Sequence, residues 1–335
     1  MGFWESLLNA LLDSLRLGLP YAMLALGVFI TYRQLDIADL GCEGTFTLGG
    51  AVIGILVYKN VNPFLGILLV ILSGFLAGVL TGVLHTQLKI PALLSGIITL
   101  TALFTINMVI MGFGTTANAD KSFFVKLFDN KSSLISIYRN AERAESRTIY
   151  TMFHQLLTSM GLPIGRQYSY IILNVLIVVA VVVVLYIFFG TEVGMSIRST
   201  GMNPLMSRAQ GINTSLMIVL GLGISNAVIA LGGAMFTQIN LSASNTMGVG
   251  AIIIGLASII IGESIFGKRT FKNWLISVVL GAIVYYLIIA IALALKLPDH
   301  YLKFLYALLI VIVLIVPFVK EKITGIVNNK KRGAN

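Results

Sequence analysis

Acidic residues beside or within long apolar runs are the side chains of this sequence best placed to do chemistry. Asp36, Asp39 and Glu43 precede the second apolar run, and Glu263 closes a later one. A carboxylate at membrane depth costs about 3 kcal/mol on insertion scales, so such groups are usually functional or paired. Asp39 and Glu43 are four residues apart and can share a helix face. Two interpretations stay open: a proton or sodium relay, or carboxylates that cap helix ends or pair with Arg33.

Uncharged polar residues within the apolar runs indicate a second kind of chemistry. Asn107, Asn226 and Gln238 can hydrogen-bond across helices or line a wet path. A polar solute that leaves water needs replacement hydrogen bonds along its route. Together with Asp39 and Glu43, these three amides are therefore our candidate residues of a translocation pathway, although packing alone also explains each amide.

Residues suited to catalysis or metal binding are sparse. Cys42 is the only cysteine, and the three histidines lie far apart in the sequence. No serine-histidine-acid set, cysteine-histidine set or metal-ligand spacing is visible. Residues 262–268 (GESIFGK) miss the phosphate-binding loop pattern, because Arg269 stands where Ser or Thr must follow the lysine. We expect no catalytic activity, no cofactor and no metal.

The composition places these residues in a membrane protein. Of the 335 residues, 57% are hydrophobic and 11% are charged, whereas a soluble domain has about 25% charged residues. The net charge of +10 comes from basic residues at the ends of apolar runs, which argues for contact with lipid and against a nucleic-acid partner. We interpret residues 1–335 as one transmembrane domain.

Stretches without charged residues give the number of membrane spans. A helix needs about 20 mostly apolar residues to cross a bilayer, so the longest stretch must hold two spans, with a break near residues 240–245. The total is about nine spans, in an all-α, polytopic helical membrane protein. Clustered glycines predict that some of its segments are broken or re-entrant. The charge-free stretches are residues 17–32, 44–58, 60–88, 90–119, 167–191, 209–262, 273–295 and 304–319.

A polar loop at about residues 190–215 separates two of these apolar runs. Its central part, residues 194–212 (GMSIRSTGMNPLMSRAQGI), is called the island below. Gly201, the Asn203-Pro204 pair and Gly211 predict a short helix, a turn and a second short helix.

The distribution of lysine and arginine gives the orientation. If the island is cytoplasmic, the cytoplasmic side holds 12 basic residues and the short external loops with the N-terminus hold 4. This bias predicts a cytoplasmic C-terminal tail, residues 320–335. One additional crossing near residues 33–44 would reverse the side of the N-terminus.

Residues 115–167 then form a long extracellular insertion. Apolar residues from Leu134 to Met160 fall roughly at helical spacing. We expect an amphipathic helix that covers the bundle, and a docking surface for an extracellular partner is the alternative.

Several ordered stretches resemble the permease subunits of bacterial ATP-binding-cassette importers, in the branch of putative tryptophan/tyrosine-type permeases related to branched-chain amino acid and ribose permeases. The resemblance covers most of the membrane core but not the insertion. The stretches are residues 37–52 (IADLGCEGTFTLGGAV), residues 85–112 (HTQLKIPALLSGIITLTALFTINMVIMG), the island, residues 225–238 (SNAVIALGGAMFTQ) and residues 247–263 (MGVGAIIIGLASIIIGE).

The resemblance implies a permease in the bacterial cytoplasmic membrane that pairs with a second copy of itself. It also implies cytoplasmic ATPase subunits that hydrolyse ATP and an extracytoplasmic substrate-binding protein that delivers a small organic solute, such as an amino acid. The island matches the family's coupling helix, except that Met202 stands where an acidic or amide residue is common. The coupling residues implied by this match are Arg198, Gly201, Asn203, Pro204, Arg208, Ala209 and Gly211.

Two other functions remain as alternatives. The first is an ion-coupled secondary transporter that uses Asp39 and Glu43, and it predicts uptake without an ATPase or a binding protein. The second is a structural membrane subunit without a pathway, which predicts no solute flux after reconstitution.

Overall fold

The computed structural model describes residues 3–112, 134–136, 148–161 and 165–294. Within these ranges the chain is mainly helical, and a π-helical turn, Ile30–Gln34, continues the first helix. The helices are α1 (Phe3–Phe29), α2 (Gly41–Tyr58), α3 (Pro63–Thr86), α4 (Ala92–Gly112), α5 (Ile149–Ser159), α6 (Arg166–Phe189), α7 (Glu192–Met202), α8 (Pro204–Ala209), α9 (Thr214–Asn240), α10 (Ala251–Phe266) and α11 (Phe271–Ala294). Two short strands, β1 (Leu134–Ser136) and β2 (Ser242–Ser244), pair antiparallel.

Seven of these helices are long and apolar enough to cross a membrane: α1 with its π-helical turn, α2, α3, α4, α6, α9 and α11. The predicted polytopic helical membrane fold is therefore confirmed. The break predicted near residues 240–245 is also present, because α9 ends at Asn240. The second half of that stretch forms α10, an apolar helix of 16 residues. The predicted span at residues 304–319 and the tail at residues 320–335 lie outside the described residues.

Contacts between helices show which helix ends lie together. Arg33, in the π-helical turn that continues α1, meets Glu263 in the last turns of α10. Gly201 in α7 packs on the backbone of Gln34, and Gly82 near the end of α3 packs on Val219 near the start of α9. The island, the end of α1, the α3–α4 link and the α10–α11 link therefore share one end of the bundle.

Seven basic residues lie at this shared end, which is called the island end below. This clustering agrees with the charge bias used to predict a cytoplasmic island. The residues are Arg33, Lys89, Arg198, Arg208, Lys268, Arg269 and Lys272.

The centre of the bundle is formed by α1, α2 and α9, which are mostly buried, whereas α3, α4 and α6 expose most of their residues to the surroundings. Glycines permit the close approach of α3 to α9. A side chain at Gly78 would overlap the backbone of Leu222, and one at Gly74 would meet Ala230. Gly74, Gly78 and Gly82 recur every four residues, and this spacing of small residues lets two helices pack closely.

Two helices begin inside the bundle. Residues 35–40 between the π-helical turn and α2 are not helical, and they carry Asp39 to a buried position. α10 has 16 residues, or about 24 Å at 1.5 Å per residue, less than the ~30 Å of a hydrocarbon core. The turn that leads into α10 contacts the first turn of α2, because Gly248 packs on the backbone of Glu43. The predicted broken segments are thus α2 and α10, and their starts meet.

The part of the insertion that the structure describes is fastened to the end of the bundle opposite the island. The expected amphipathic helix is present as α5 but begins only at Ile149. The helical periodicity drawn from Leu134 onward was wrong for Leu134–Ser136, which pair with Ser242–Ser244 as a strand. Three residues are too few to show a period of two in the sequence, and pairing with a distant partner fixes their conformation.

Candidate translocation and coupling sites

Asp39 is a buried carboxylate held by neutral donors. Its Oδ1 accepts a hydrogen bond of 2.8 Å from the Gly41 amide, and its Oδ2 accepts one of 2.8 Å from Nδ2 of Asn226. Neither ion pair formed among the described residues includes Asp39. The carboxylate therefore joins the start of α2 to the middle of α9.

Small and hydroxylated residues make room for this carboxylate. A side chain at Gly96 in α4 would meet the Leu40 amide at 2.7 Å and Oδ1 of Asp39 at 3.1 Å. Beside it, the Thr81 hydroxyl donates to the Thr99 hydroxyl at 2.9 Å, which links α3 to α4. The helices α3, α4 and α9 thus converge on the start of α2, and α4 can approach because residue 96 has no Cβ.

Glu43 connects the two helices that begin inside the bundle. Its Oε1 accepts a hydrogen bond of 3.0 Å from the backbone amide of Gly250 at the start of α10. A carboxylate at a helix N-terminus satisfies an amide that lacks an intrahelical partner and interacts favourably with the helix dipole. Glu43 lies in the first turn of α2, four residues after Asp39, so both carboxylates lie at the start of this helix.

Each of the three candidate amides also makes one contact between elements. Nδ2 of Asn107 donates to the Gly44 carbonyl at 3.1 Å, and Oε1 of Gln238 accepts from the Ile149 amide at 3.0 Å. The other polar atom of each side chain is buried without a hydrogen-bond partner among the described residues: Oδ1 of Asn107, Oδ1 of Asn226 and Nε2 of Gln238. Packing contacts therefore explain only one of the two polar atoms of each amide. A buried polar atom without a partner is unusual in a folded protein.

The five candidate pathway residues do not form one compact site. Asp39 and Asn226 touch each other, and Glu43 and Asn107 both contact the first turn of α2 or its partners. Gln238 lies apart, near the other end of α9 against α5. The structure thus groups four of the five around the start of α2.

A cluster at the island end was missed in the sequence. Nη2 of Arg33 lies 2.6 Å from Oε2 of Glu263, and the indole Nε1 of Trp274 donates to Oε1 of the same carboxylate at 2.8 Å. One carboxylate thereby joins α1, α10 and α11. The pairing of Arg33 with an intramembrane carboxylate was an open interpretation, but the sequence contains no signal for the part played by Trp274.

The island folds as predicted into two short helices, α7 and α8, with a break at Asn203. The Asn203 side chain accepts a hydrogen bond of 3.0 Å from the Met206 amide and so caps α8, while Pro204 occupies the first turn, where its missing N–H has no cost. Gly211 has a φ of +83°, which lets the chain turn after α8. Each of these residues shapes the backbone of the island.

Three contacts fasten the island to the membrane helices. The Arg198 guanidinium carbon lies 4.6 Å from the ring centroid of Phe271 at the start of α11, as in a cation–π contact. Gly201 packs so closely on the Gln34 carbonyl that any side chain at position 201 would overlap it. Arg208 donates from Nε to the Thr214 hydroxyl at 2.7 Å and ties α8 to the start of α9.

The outer face of the island carries a group of exposed apolar residues. Met202, Leu205 and Met206 expose 88%, 77% and 59% of their surface, and Ala209 beside them is also exposed. Single exposed apolar residues are common on protein surfaces, whereas a contiguous group of them indicates a surface for a partner. The resemblance did not point to these residues, although three large apolar side chains in a polar loop are visible in the sequence.

Comparison with known proteins places the chain in a family. The model of the family described as "Branched-chain amino acid transport system / permease component" matches residues 10–314. A tyrosine transport system permease protein of Clostridioides difficile is 30% identical over 304 residues, which cover 91% of this chain and 90% of that protein. The ribose import permease protein RbsC of Haemophilus influenzae is 25% identical over 275 residues, covering 82% and 74%. No solved structure gives a significant match.

The resemblance seen in the sequence is thus confirmed over most of the chain. The matched residues include the start of α2, the island and the start of α10, which are the parts that carry the candidate sites. The seven apolar helices described above agree with a multi-pass protein of the bacterial inner membrane. The chain belongs to the branched-chain amino acid transport system / permease component family.

Proposed function

We propose that the chain is the membrane-spanning subunit of an ATP-driven, binding-protein-dependent importer and that the island is its contact with the ATPase subunits. The observation that carries the proposal is the island itself, which presents apolar residues outward while its inner side is fixed to the membrane helices. The family match and the two transport relatives support it.

The anchoring of the island suits transmission of movement. A coupling element must be stiffly joined to the helices that it moves, since ATP can shift a conformational equilibrium only through contacts that differ between states. Gly201 abuts the Gln34 carbonyl without an intervening side chain, and Arg198 stacks on Phe271. A displacement of α7 therefore reaches both α1 and α11.

The π-helical turn gives this movement a route to the candidate pathway. Gln34 ends the turn, and only residues 35–38 separate it from Asp39. Turns of this type are frequent at functional sites. In our proposal, closure of the ATPases shifts the π-helical turn and thereby the start of α2, where Asp39 and Glu43 hold α9 and α10.

The solute pathway in this proposal runs past the start of α2. Discontinuous helices in transporters commonly end at the substrate site, and among the described helices α2 and α10 begin inside this bundle. Oδ1 of Asn107 and Oδ1 of Asn226 have no partner among the described residues. They can accept the hydrogen bonds that a polar solute must replace after it leaves water. Gln238, near the opposite end, is placed at the entrance.

The remaining partners follow from the same proposal. The binding protein would deliver solute at the end of the bundle that carries α5, and a second copy of the chain would complete the pathway, as the family resemblance implies. The described α5 buries Ile149 and Tyr150 against the bundle, which supports a covering role. Since one relative is named for tyrosine and another for ribose, we propose a small polar organic solute, with an amino acid as the first candidate. The chain itself would hydrolyse nothing.

Purification from native membranes followed by reconstitution tests this function. We expect the tagged chain to retain an ATPase subunit and, with that subunit and the binding protein, to drive uptake that requires ATP and persists in a protonophore. Uptake by the chain alone that the protonophore abolishes would instead establish the secondary transporter. Absence of any flux in the complete assembly would leave only a structural subunit.

A further inference from the structure

A groove on the membrane-facing side of the protein has a different character from the sites described so far. It lies between α6 and α11 and has a volume of about 320 Å³. Val178, Val182 and Tyr186 line it from α6, and Lys272, Ile276 and Leu280 line it from α11. The spacing of four residues along each helix means that one continuous face of each contributes.

The groove has a polar end and an apolar end. The end of α6 and the start of α11 both lie at the island end of the bundle, so Tyr186 and Lys272 mark the groove's opening towards that side. Val178 precedes Tyr186 by eight residues, and Leu280 follows Lys272 by eight residues. Both therefore lie about 12 Å deeper in the membrane. Every other described residue along the groove is apolar, and Lys272 is its one charged lining residue.

Further positive charge surrounds the opening. Lys268 and Arg269 lie in the link that precedes α11, and like Lys272 they are exposed. None of the three forms an ion pair among the described residues, and the nearby carboxylate of Glu263 is already paired with Arg33. Basic pockets between membrane helices on the cytoplasmic side are typical binding sites for anionic lipid headgroups, and a tyrosine at the same level suits the membrane interface.

The charge at one end of the groove and its apolar lining decide between its potential occupants. Lys268, Arg269 and Lys272 have no acidic partner among the described residues, so they favour an occupant with an anionic group at that end. An acyl chain attached to that group gains free energy by covering the valine and isoleucine side chains. We infer that this groove binds an anionic phospholipid, with an acyl chain between α6 and α11 and the phosphate at Lys272.

The position of the site gives the bound lipid a connection with the island. Lys272 directly follows Phe271, whose ring carries the Arg198 guanidinium at 4.6 Å and packs on Phe189 at 5.4 Å between ring centroids. A lipid held at Lys272 therefore borders the anchor through which α7 contacts α11. The binding site itself does not depend on the proposed transport function.

Native mass spectrometry of the full chain in a neutral detergent tests the inference. The probes are dioleoyl phosphatidylglycerol and dioleoyl phosphatidylcholine, which have the same acyl chains and differ in headgroup charge. We expect the wild-type chain to prefer the phosphatidylglycerol, and Lys272→Gln to reduce that preference about fivefold, the share of one lysine near an anionic headgroup. Lys89→Gln, at the same end of the bundle but outside the groove, is the matched control and keeps the preference.

A second variant tests the apolar part of the site without changing the charge. Val183→Trp fills the groove and should lower the bound number of both lipids, with the melting temperature of the purified protein confirming that it folds. An unchanged preference in Lys272→Gln, or equal losses in Lys272→Gln and Lys89→Gln, would overturn the inference. So would a Val183→Trp protein that binds lipid normally but loses a dimer, because the groove would then belong to a second copy of the chain.

Discussion

The amide nitrogen of Asn226 donates a hydrogen bond of 2.8 Å to the carboxylate of Asp39, a residue 187 positions earlier in the chain. This bond links the middle of α9 to the point where α2 begins inside the bundle. The other carboxylate oxygen accepts from the Gly41 amide, while Nδ2 of Asn226 also donates to the Leu222 carbonyl at 3.0 Å within its own helix. The Asp39 carboxylate therefore fixes the start of α2. The sequence alone shows only that a carboxylate at this depth is unfavourable to insert into a membrane.

The Asp39 contacts predict a specific loss of stability. An asparagine at this position keeps one acceptor oxygen in place of two, so either the Gly41 amide or Nδ2 of Asn226 loses its hydrogen bond to residue 39. We expect Asp39→Asn to lower the free energy of unfolding by about 1–3 kcal/mol, measured by thermal unfolding in detergent. Asp36→Asn is the matched control, because Asp36 is exposed with a φ of +55°, a conformation that asparagine also adopts readily. Equal melting temperatures for the two variants would contradict this assignment of Asp39.

The Arg33–Glu263 pair predicts a second difference, this time between two ion pairs. Glu263 is largely buried and is also bonded to Trp274, whereas Asp13 contacts Arg16 at 3.7 Å with half of its side chain exposed. Glu263→Gln should therefore cost about 1–3 kcal/mol of unfolding free energy, and Asp13→Asn less than about 1 kcal/mol. Thermal unfolding of both variants measures the difference, and a larger loss for Asp13→Asn would show that the three-helix cluster does not hold the island end together.

The apolar outer face of the island predicts a loss of binding rather than of stability. A carboxylate at position 202 would have to be buried in the contact with an ATPase subunit, so we expect Met202→Glu to reduce the retained ATPase at least tenfold. Quantitative co-purification measures this. Met160→Glu is the control, since Met160 is similarly exposed but lies beyond α5 at the opposite end. Full ATPase retention by Met202→Glu would exclude this face as the docking surface.

The features predicted from the sequence are those that depend on local pattern. Lipid-facing helices such as α3 and α6 must be apolar along their length, so charge-free stretches located them. The island's two helices followed from Asn203, Pro204 and Gly211, whose effects on the backbone are local.

The features that the sequence did not show depend on contacts between distant residues. The Glu43 bond to Gly250 joins residues 207 positions apart, and Trp274 reaches Glu263 only because α10 and α11 fold back on each other. The short strand β1 has no periodicity of its own and exists through its pairing with β2. Tertiary packing determines such contacts, and a single sequence without homologues carries little record of them.

The contact of Gly201 with the Gln34 carbonyl allows the most direct test of the proposed coupling. The measurement is ATP-driven uptake and ATP hydrolysis by the reconstituted assembly, with Gly201→Leu compared with Gly190→Leu. Any side chain at 201 overlaps the end of α1, whereas the nearest atom to a Cβ at 190 is the Ile187 carbonyl at 3.3 Å. We predict that Gly201→Leu still binds the ATPase and hydrolyses ATP but loses at least nine-tenths of uptake, while Gly190→Leu retains both. Normal uptake by Gly201→Leu would contradict the account.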